Sequence, residues 1–278
     1  VGIAGPPGAG KSTFIEALGL RLVQAGKRVA VISVDPSSLR SGGSILGDKT
    51  RMQELSRTPN AFVRACPSGG VLGGIAAHTH SVVLLCQAAR YDVVIVETVG
   101  LGQSEVEVEQ TVDVLTLLLP PASGDDLQGS KKGIIEAADL VVVNKADGEL
   151  EGPARLTAGD YSNAMHYNRP KLPFWHPPVL LCSARKGLGI DKMWEQVEKF
   201  CAALHEHGEF DRRRRIQGRY WMLKQLERQL AERALEDPGV QALASKMEGD
   251  LAKGVLGPRM AAERLVDRFV LSIRSKKA

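Results

Sequence analysis

The residues of this chain that are best suited to chemistry begin close to its start, in one glycine-rich run. The run matches the pattern G-x-x-x-x-G-K-[ST] and consists of Gly5, Pro6, Pro7, Gly8, Ala9, Gly10, Lys11 and Ser12. Glycines let successive backbone N–H groups turn toward one anion, the lysine reaches the β- and γ-phosphates, and the serine hydroxyl ligates Mg²⁺. Together with Thr13, in the helical pattern that follows, the run predicts a nucleotide site that uses magnesium.

Carboxylates close two of the apolar runs that we predict as strands. Asp35 follows Val34, and Glu97 lies near the end of the run Tyr91–Thr98. Because ligands of open α/β sheets bind beyond the carboxyl ends of the strands, we expect both side chains beside the phosphate loop, near Mg²⁺. Gly100 would approach the γ-phosphate through its N–H. Most phosphate-loop GTPases have Asp where this chain has Glu97, and the longer side chain could hold the metal through a water.

Asp48 lies in the glycine-rich segment Gly42–Thr50. An aspartate there is a suitable N-cap for a following helix, because its carboxylate accepts hydrogen bonds from the first free N–H groups. Capping alone would explain Asp48, but a second role toward Mg²⁺ or its water shell is compatible with capping. The candidate metal-binding residues are therefore Ser12, Asp35, Asp48 and Glu97. The candidate catalytic residues are Lys11, Asp35, Asp48 and Glu97.

A base-reading motif follows the apolar run Leu140–Val143. It consists of Asn144, Lys145, Ala146 and Asp147. A carboxylate at a strand end accepts from guanine N1–H and the exocyclic amine together, and adenine offers no such donor pair, so the motif predicts GTP over ATP. We expect the segment after the last strand, with Ser183, Ala184 and Arg185, to complete the base pocket through backbone contacts.

Strand and helix patterns alternate through about residue 207, which predicts an α/β fold of the P-loop NTPase type, with a mostly parallel sheet flanked by helices. The candidate strands are 28–34, 61–65, 91–98, 113–119, 139–144 and 179–183, after a short apolar run that could end a strand at residues 1–4. From Phe210 onward the strand signal stops, and three helices are predicted. We therefore divide the chain into a G domain, 1–207, and a helical C-terminal extension, 208–278.

Charge is unevenly distributed along the chain. Residues 211–278 hold 16 Lys and Arg against 9 Asp and Glu, whereas the preceding residues carry a net charge of −3. The run Arg212–Arg215 comes without aromatic platforms or a known motif, so we expect a solvated helix face or an acidic protein partner and no nucleic acid. No apolar run approaches the roughly 18 residues of a membrane span, so no membrane partner is expected.

The cysteines and histidines form no metal motif in the sequence. Four cysteines occur without C-x-x-C pairing, which favours buried thiols in a reducing compartment. The two histidine pairs spaced two apart, at 78 and 80 and at 205 and 207, favour ordinary histidines over metal ligands. The chain opens within an apolar run at Val1, so we expect a longer protein whose start, with any targeting segment, lies outside it.

Two observations predict slow hydrolysis by the isolated protein. Gln103 follows Gly100 by three residues instead of one, so it does not occupy the water-orienting position of small signalling GTPases. No arginine can be assigned as a finger from the sequence. The polar stretch Pro120–Lys132 is long for a βα connection, which suggests a moving segment that a partner could order.

Five linked motifs together resemble one family. They are Gly5–Ser12, Val34–Ser38, Gly42–Met52, Glu97–Glu105 and Asn144–Gly148. They are similar to those of the methylmalonic aciduria type A and MeaB family, which belongs to the metallochaperone class of P-loop GTPases. The resemblance extends over essentially the whole chain, and Glu97 matches the glutamate that marks this class.

The resemblance implies a GTP-hydrolysing chaperone that gates adenosylcobalamin delivery to methylmalonyl-CoA mutase and protects or reactivates it. GTP or GDP and Mg²⁺ are the implied cofactors, and adenosylcobalamin enters only through the partner mutase. The family also implies a homodimer held partly by the C-terminal helices. The implied location is cytoplasmic for a bacterial protein and the mitochondrial matrix for a eukaryotic one.

Three nucleotide-responsive switches are implied near Pro36–Lys49, Gly100–Glu109 and Pro120–Lys132. Asp35, Asp48, Glu97 and Lys131 match family positions linked to magnesium, nucleotide or switch signalling, which adds Lys131 to the candidate catalytic residues. Two alternatives stay open: a GTPase of the same class that serves another client through metal insertion, and a protein kinase of a transport system. Nickel-delivering relatives carry His-rich or Cys-containing motifs, and this chain shows none.

Overall fold

The structure of the chain is a computed structural model that describes residues 1–35, 52–67, 77–98, 105–122, 132–167 and 170–275. It divides into two compact units, Val1–Gly218 and Arg219–Ala278. The division falls inside one long helix, later in the chain than the boundary predicted from the sequence. The role of the second unit as a dimerisation arm stays a prediction.

A seven-stranded sheet forms the centre of the first unit, in the order β3-β2-β4-β1-β5-β6-β7. The strands are β1 (Gly2–Ala4), β2 (Val29–Asp35), β3 (Ala61–Pro67), β4 (Val93–Glu97), β5 (Leu115–Leu119), β6 (Leu140–Val143) and β7 (Val179–Leu181). All neighbouring strands pair in parallel. Continuous Val, Ile and Leu runs suit this arrangement, because helices cover both faces of a parallel sheet. The predicted fold class is confirmed.

Helices follow the strands and then continue alone into the second unit. They are α1 (Lys11–Gln24), α2 (Gln53–Ser56), α3 (Ala77–Ala88), α4 (Glu105–Glu109), α5 (Lys132–Ala137), α6 (Glu151–Tyr167), α7 (Ile190–Glu206), α8 (Glu209–Glu236), α9 (Pro238–Ala252) and α10 (Pro258–Ser275). None of the helices in the described ranges combines the length and apolar composition that a membrane span requires.

One face of the sheet packs against α1 and α7 and holds the main hydrophobic core. Phe14, Ile15 and Leu18 of α1 are fully buried there, and α7 contributes Val197 and Phe200. The apolar positions of α1 recur at the spacing of one helical face, so the helix buries that stripe and holds its first residue at the carboxyl edge of the sheet. This packing fixes the position of the glycine-rich loop between β1 and α1.

The basic run at the start of α8 is a solvated face only in part, because Arg212, Arg214 and Arg215 are exposed whereas Arg213 is largely buried. The Arg213 guanidinium donates to both carboxylate oxygens of buried Asp139, at 3.1 Å each, and Arg214 donates to Asp113 at 2.9 and 2.8 Å. Burial alone would raise the pKa of Asp113, but the hydrogen bond and charge of Arg214 outweigh it and hold that pKa below its usual value. The start of α8 is therefore fixed to the ends of the first unit's strands.

The second unit is a small helical assembly with its own cap. The Asp237 side chain accepts from the N–H groups of Gly239 and Val240, at 2.9 and 3.2 Å, and from the Ser272 hydroxyl at 2.9 Å. Asp237 thus caps α9 and ties it to α10. Several apolar side chains of this unit are exposed on α8, among them Leu223, Leu226 and Leu230.

All four cysteines are free thiols, and Cys66, Cys86 and Cys182 are buried. Burial raises the pKa of each thiol, including that of half-buried Cys201, and raises the pKa of Cys182 to about 12. This agrees with the prediction of buried thiols. His205 and His207 stack on phenylalanine rings, and no cluster of three potential metal ligands occurs in the part of the chain that the structure describes.

Candidate functional site

The glycine-rich loop wraps tightly between the end of β1 and the start of α1. Gly8 and Gly10 have φ angles of 81° and 84°, in the left-handed region that favours glycine. A Cβ on Gly5 would lie 2.1 Å from the Leu118 carbonyl oxygen, and one on Gly10 would lie 2.8 Å from Nδ2 of Asn144. The loop can follow this path only without side chains at Gly5 and Gly10, and the N-terminus of α1 at its end suits an anion. This is the geometry of a phosphate cradle.

Lys11 spans the mouth of this loop. Its ammonium group donates to the carbonyl oxygens of Gly5 and Pro6, at 2.9 and 3.2 Å. Burial lowers the pKa of Lys11, and the nearby Glu97 carboxylate opposes that shift. The amine thus lies among the loop atoms that would surround the phosphates, where its charge can meet the β- and γ-phosphate oxygens.

Glu97 lies beside the phosphate loop and not in solvent. Its Oε1 accepts from the Ser12 hydroxyl at 3.0 Å and its Oε2 accepts from the Ser33 hydroxyl at 2.8 Å. The residue is buried at the carboxyl end of β4. Hard oxygen donors of this kind suit Mg²⁺, so the set of Ser12 and Glu97 fits the ion that the sequence predicts.

The base-reading motif is bonded directly to the phosphate loop. Asn144 donates through Nδ2 to the Ala9 carbonyl at 2.9 Å and accepts through Oδ1 from the Ala184 N–H at 3.0 Å. Its buried amide therefore connects the loop that would hold the phosphates with the segment that would hold the base. Lys145 adopts a φ of 60°, which directs the chain from β6 into Asp147.

Asp147 is oriented by a side chain that the sequence analysis had assigned only a backbone role. The Ser183 hydroxyl donates to Oδ1 of Asp147 at 2.6 Å and accepts from the Lys186 N–H at 3.2 Å. The contact holds the carboxylate in one orientation at the carboxyl edge of the sheet. Arg185 is exposed on the same segment.

The structure therefore brings together most of the predicted site. These residues are Gly5, Pro6, Pro7, Gly8, Ala9, Gly10, Lys11, Ser12, Thr13, Glu97, Asn144, Lys145, Asp147, Ser183, Ala184 and Arg185. Asp35 is the last residue of β2, at the same edge of the sheet. Asp48, Gly100 and Lys131 lie outside the described residues, and their roles stay predictions.

Ser33 is a site residue that the sequence analysis missed. The available signal was a lone hydroxyl within the apolar strand run, two residues before Asp35. Its side chain is buried and bonded to Glu97. A serine in such a run can equally be a small core residue, and only the pairing of β2 with β4 shows which carboxylate it meets.

The parallel sheet, the phosphate loop and the bonded base motif define the class of the protein, a P-loop GTPase. A family model described as methylmalonyl Co-A mutase-associated GTPase MeaB matches residues 1–239. The chain belongs to this family, which confirms the predicted resemblance. GTP hydrolysis is the activity of the class, with GTP or GDP as its nucleotide.

Curated relatives and a solved structure agree with this assignment. The mouse mitochondrial methylmalonic aciduria type A homolog is 46% identical over 269 residues, which cover 97% of this chain and 65% of the relative. The Escherichia coli GTPase ArgK is 50% identical over 230 residues, covering 83% of this chain and 70% of ArgK. The crystal structure of a LAO/AO transport system kinase superposes with a TM-score of 0.70 at 37% identity, covering 96% of this chain and 80% of the other. The chain thus spans slightly less than two thirds of the mouse relative.

Replacing Asn144 with alanine should weaken nucleotide binding and stability together. The substitution removes both bonds of the buried bridge and leaves the Ala184 N–H without its acceptor, which costs about 1–3 kcal/mol. We expect a lower melting temperature and roughly tenfold weaker GDP binding, measured by thermal denaturation and fluorescence titration. Asn163→Ala, at an exposed position on α6, is the matched control. If Asn144→Ala bound GDP with native affinity, the hydrogen bonds of Asn144 would not be needed for nucleotide binding.

Proposed function

We propose that this protein is a GTP-binding and GTP-hydrolysing chaperone that gates adenosylcobalamin delivery to methylmalonyl-CoA mutase and protects or reactivates that enzyme. The observation that carries the GTPase part is the bonded site, in which the Ser12–Glu97 contact and the Asn144 bridge join phosphate and base elements. The family match over residues 1–239 supports the client. The mouse relative, named for methylmalonic aciduria, supports the same metabolic context.

Each residue has a defined task in this proposal. The loop N–H groups and Lys11 bind the phosphates and balance charge that develops on them during hydrolysis. Ser12 and Glu97 would hold Mg²⁺, which when bound would neutralise phosphate charge. Asp147 selects guanine, and Ser183 keeps its carboxylate oriented. Asp35, Asp48 and Lys131 are proposed to contribute from the segments that respond to the nucleotide.

Binding of the full chain to the mutase tests whether that enzyme is the client. Native mass spectrometry with purified adenosylcobalamin-dependent methylmalonyl-CoA mutase should detect a complex whose stability differs between GDP and a non-hydrolysable GTP analogue. An unrelated enzyme of similar charge is the control for non-specific association. Failure to bind the mutase in either nucleotide state would remove the client from the proposal and leave the GTPase unaffected.

We expect hydrolysis by the isolated protein to be slow, well below a typical turnover of about 10 per second. The reason is the position of Gln103, which does not match the water-orienting position, and the sequence assigns no arginine as a finger. Phosphate release measured with and without the mutase should show acceleration by the partner. Fast turnover that the mutase leaves unchanged would favour a self-sufficient enzyme over a regulated chaperone.

A second candidate is a protein kinase of a transport system. The name of the LAO/AO transport system kinase, a relative by structure, supports it. Transfer of the γ-phosphate of labelled GTP or ATP to a protein of a transport system would distinguish it from the chaperone, which releases the phosphate to water. Metal insertion for another client stays an alternative; the described residues contain no cluster of three metal-ligating side chains.

The second unit is proposed to form the homodimer. Exposed Leu223, Leu226 and Leu230 recur at helical spacing on α8, and such a stripe on a small unit favours a second apolar surface. Sedimentation of the full chain should therefore give a dimer at micromolar concentration. A chain ended after Gly218 should give a monomer that binds GDP, because it keeps the Arg213–Asp139 pair. A monomeric full chain, with or without nucleotide, would refute the dimer.

The structure decides where the truncated chain should end. A chain ended after His207, at the predicted domain boundary, would lose Arg213 and Arg214 and leave the buried Asp139 carboxylate without its guanidinium partner. Removing one partner of a buried pair is strongly destabilising, by about 3–5 kcal/mol.

The conditional location, cytoplasmic or mitochondrial according to the source, is consistent with the mitochondrial mouse relative and the bacterial ArgK.

A further inference from the structure

Ser33 is the second hydroxyl that contacts Glu97. The two residues are directly opposite each other on the paired strands β2 and β4, so their side chains lie on the same face of the sheet. The Ser33 hydroxyl donates to Oε2 at 2.8 Å, while Ser12 donates to Oε1 at 3.0 Å. Ser33 is 4% exposed and Glu97 is 7% exposed. Each oxygen of the carboxylate therefore has its own hydroxyl donor, and the contact with Ser33 is out of solvent.

A glutamate at this position needs more orientation than an aspartate would. Its side chain has one more rotatable bond, and its terminal torsion has a broad, roughly two-fold profile. Two donors on different elements, α1 and β2, restrict that torsion to the orientation in which Oε1 meets Ser12. The Ser12 hydroxyl has a single proton and two lone pairs, so donating to Glu97 leaves its oxygen able to ligate a cation. The direction of the Ser12 proton, and hence of its lone pairs, depends on where Glu97 is held.

We propose that Ser33 is a positioning residue for magnesium: it fixes the Glu97 carboxylate against Ser12 and thereby sets the Mg²⁺ affinity of the nucleotide complex. The proposal rests on guanine nucleotide binding with Mg²⁺ at this site and is independent of the client protein. In this proposal Ser33 acts through Glu97, which its hydroxyl contacts. Removing partners that orient ligands around a metal typically weakens metal binding by about 10- to 100-fold.

Ser33→Ala tests the proposal with little steric change, because it removes one buried oxygen. The measurement is the Mg²⁺ dependence of binding of a fluorescent GDP analogue, from excess EDTA to millimolar Mg²⁺. We expect the apparent Mg²⁺ affinity to fall by roughly tenfold, while GDP binding in EDTA stays native and shows that the variant is folded. For hydrolysis at saturating Mg²⁺, we expect the KM for GTP to change little. An unchanged Mg²⁺ midpoint in Ser33→Ala would overturn the proposal.

Thr116→Val is the matched control. Thr116 is fully buried, and its hydroxyl has no hydrogen-bond partner within the described ranges. It lies in register with Ile3 on β1, which is itself in register with Glu97, so it shares the sheet face of Ser33. Removing this hydroxyl should leave the Mg²⁺ midpoint native. An equal loss in Thr116→Val would show a general effect of buried hydroxyls and contradict a specific role for Ser33.

A double-mutant cycle identifies the route of the effect. In a Glu97→Ala background the Ser33→Ala substitution should cause no further loss of Mg²⁺ affinity, because the side chain that Ser33 holds is gone. The same tenfold loss in both backgrounds would show that Ser33 acts elsewhere and would overturn the proposal. If the native protein binds guanine nucleotide with Mg²⁺ and Ser33→Ala has the same Mg²⁺ affinity, the positioning role is refuted and the proposed GTPase function stands. A native protein that binds no guanine nucleotide would overturn both.

Discussion

Lys11→Ala should abolish measurable GTP hydrolysis. The ammonium group lies within the phosphate loop, bonded to the carbonyl oxygens of Gly5 and Pro6, where phosphate oxygens would replace those acceptors. During hydrolysis charge develops on the transferred phosphoryl group in a site from which water is largely excluded. Removing one fixed donor from such a site costs roughly 10²- to 10³-fold in kcat. We expect a loss at least this large, since Lys11 carries a full charge.

The measurement is single-turnover release of phosphate from GTP at saturating protein. Lys192→Ala, at an exposed position on α7, is the matched control and should hydrolyse GTP at the native rate. Thermal denaturation of both variants separates lost chemistry from lost structure, because Lys11 also holds the loop in the absence of nucleotide. Near-native turnover in Lys11→Ala would place catalysis outside this loop.

Asp147→Asn should change the base that the protein prefers from guanine to xanthine. The native carboxylate accepts two guanine donors, N1–H and the exocyclic amine. Asparagine can keep Oδ1 as the acceptor of the Ser183 hydroxyl and of N1–H, so its amide nitrogen is directed toward the position of the exocyclic amine. Xanthine has an oxygen there, which accepts from that nitrogen. The contact with Ser183 therefore predicts which way the new amide points.

The effect should be large, because a mismatched base leaves buried polar groups without partners. We expect GDP affinity to fall by about 100-fold or more and XDP affinity to exceed it in the variant. Competition of the two diphosphates against a fluorescent nucleotide measures both. Asp160→Asn, at an exposed position on α6, is the matched control. If ADP and GDP bind the native protein equally, Asp147 is not the base reader.

The sequence predicted which residues meet at the carboxyl edge of the sheet, because the candidate site residues lie in short linked motifs; their chemical roles stay predictions. Gly5–Ser12 and Asn144–Asp147 each lie at the end of an apolar strand run, and parallel strands bring such ends to one edge. The strand order across the sheet was not predicted from the sequence. The strand order depends on how the connecting helices pack on the two faces of the sheet, which is a property of the assembled fold.

Two local predictions show what the sequence could not supply. The helix α4 was missed because Glu105–Glu109 alternates charged and apolar residues, which is the period of a strand. The run Arg212–Arg215 was expected to face solvent or a partner, since four arginines in sequence resemble an exposed basic patch. Arg212, Arg214 and Arg215 are exposed as expected, but Arg213 is largely buried against Asp139, and Arg214 also pairs with Asp113. Both aspartates lie far earlier in the chain, so only the tertiary structure reveals the pairing.

The raised pKa values of the cysteines have a practical consequence for spectroscopy. Only the thiolate reacts readily with maleimides and related dyes, and burial leaves little thiolate on Cys66, Cys86, Cys182 and Cys201 at neutral pH. A cysteine introduced at an exposed position of the second unit should then be the preferred attachment point for a fluorophore. Energy transfer between labelled copies would then test the proposed dimer while every native sulfur stays in place.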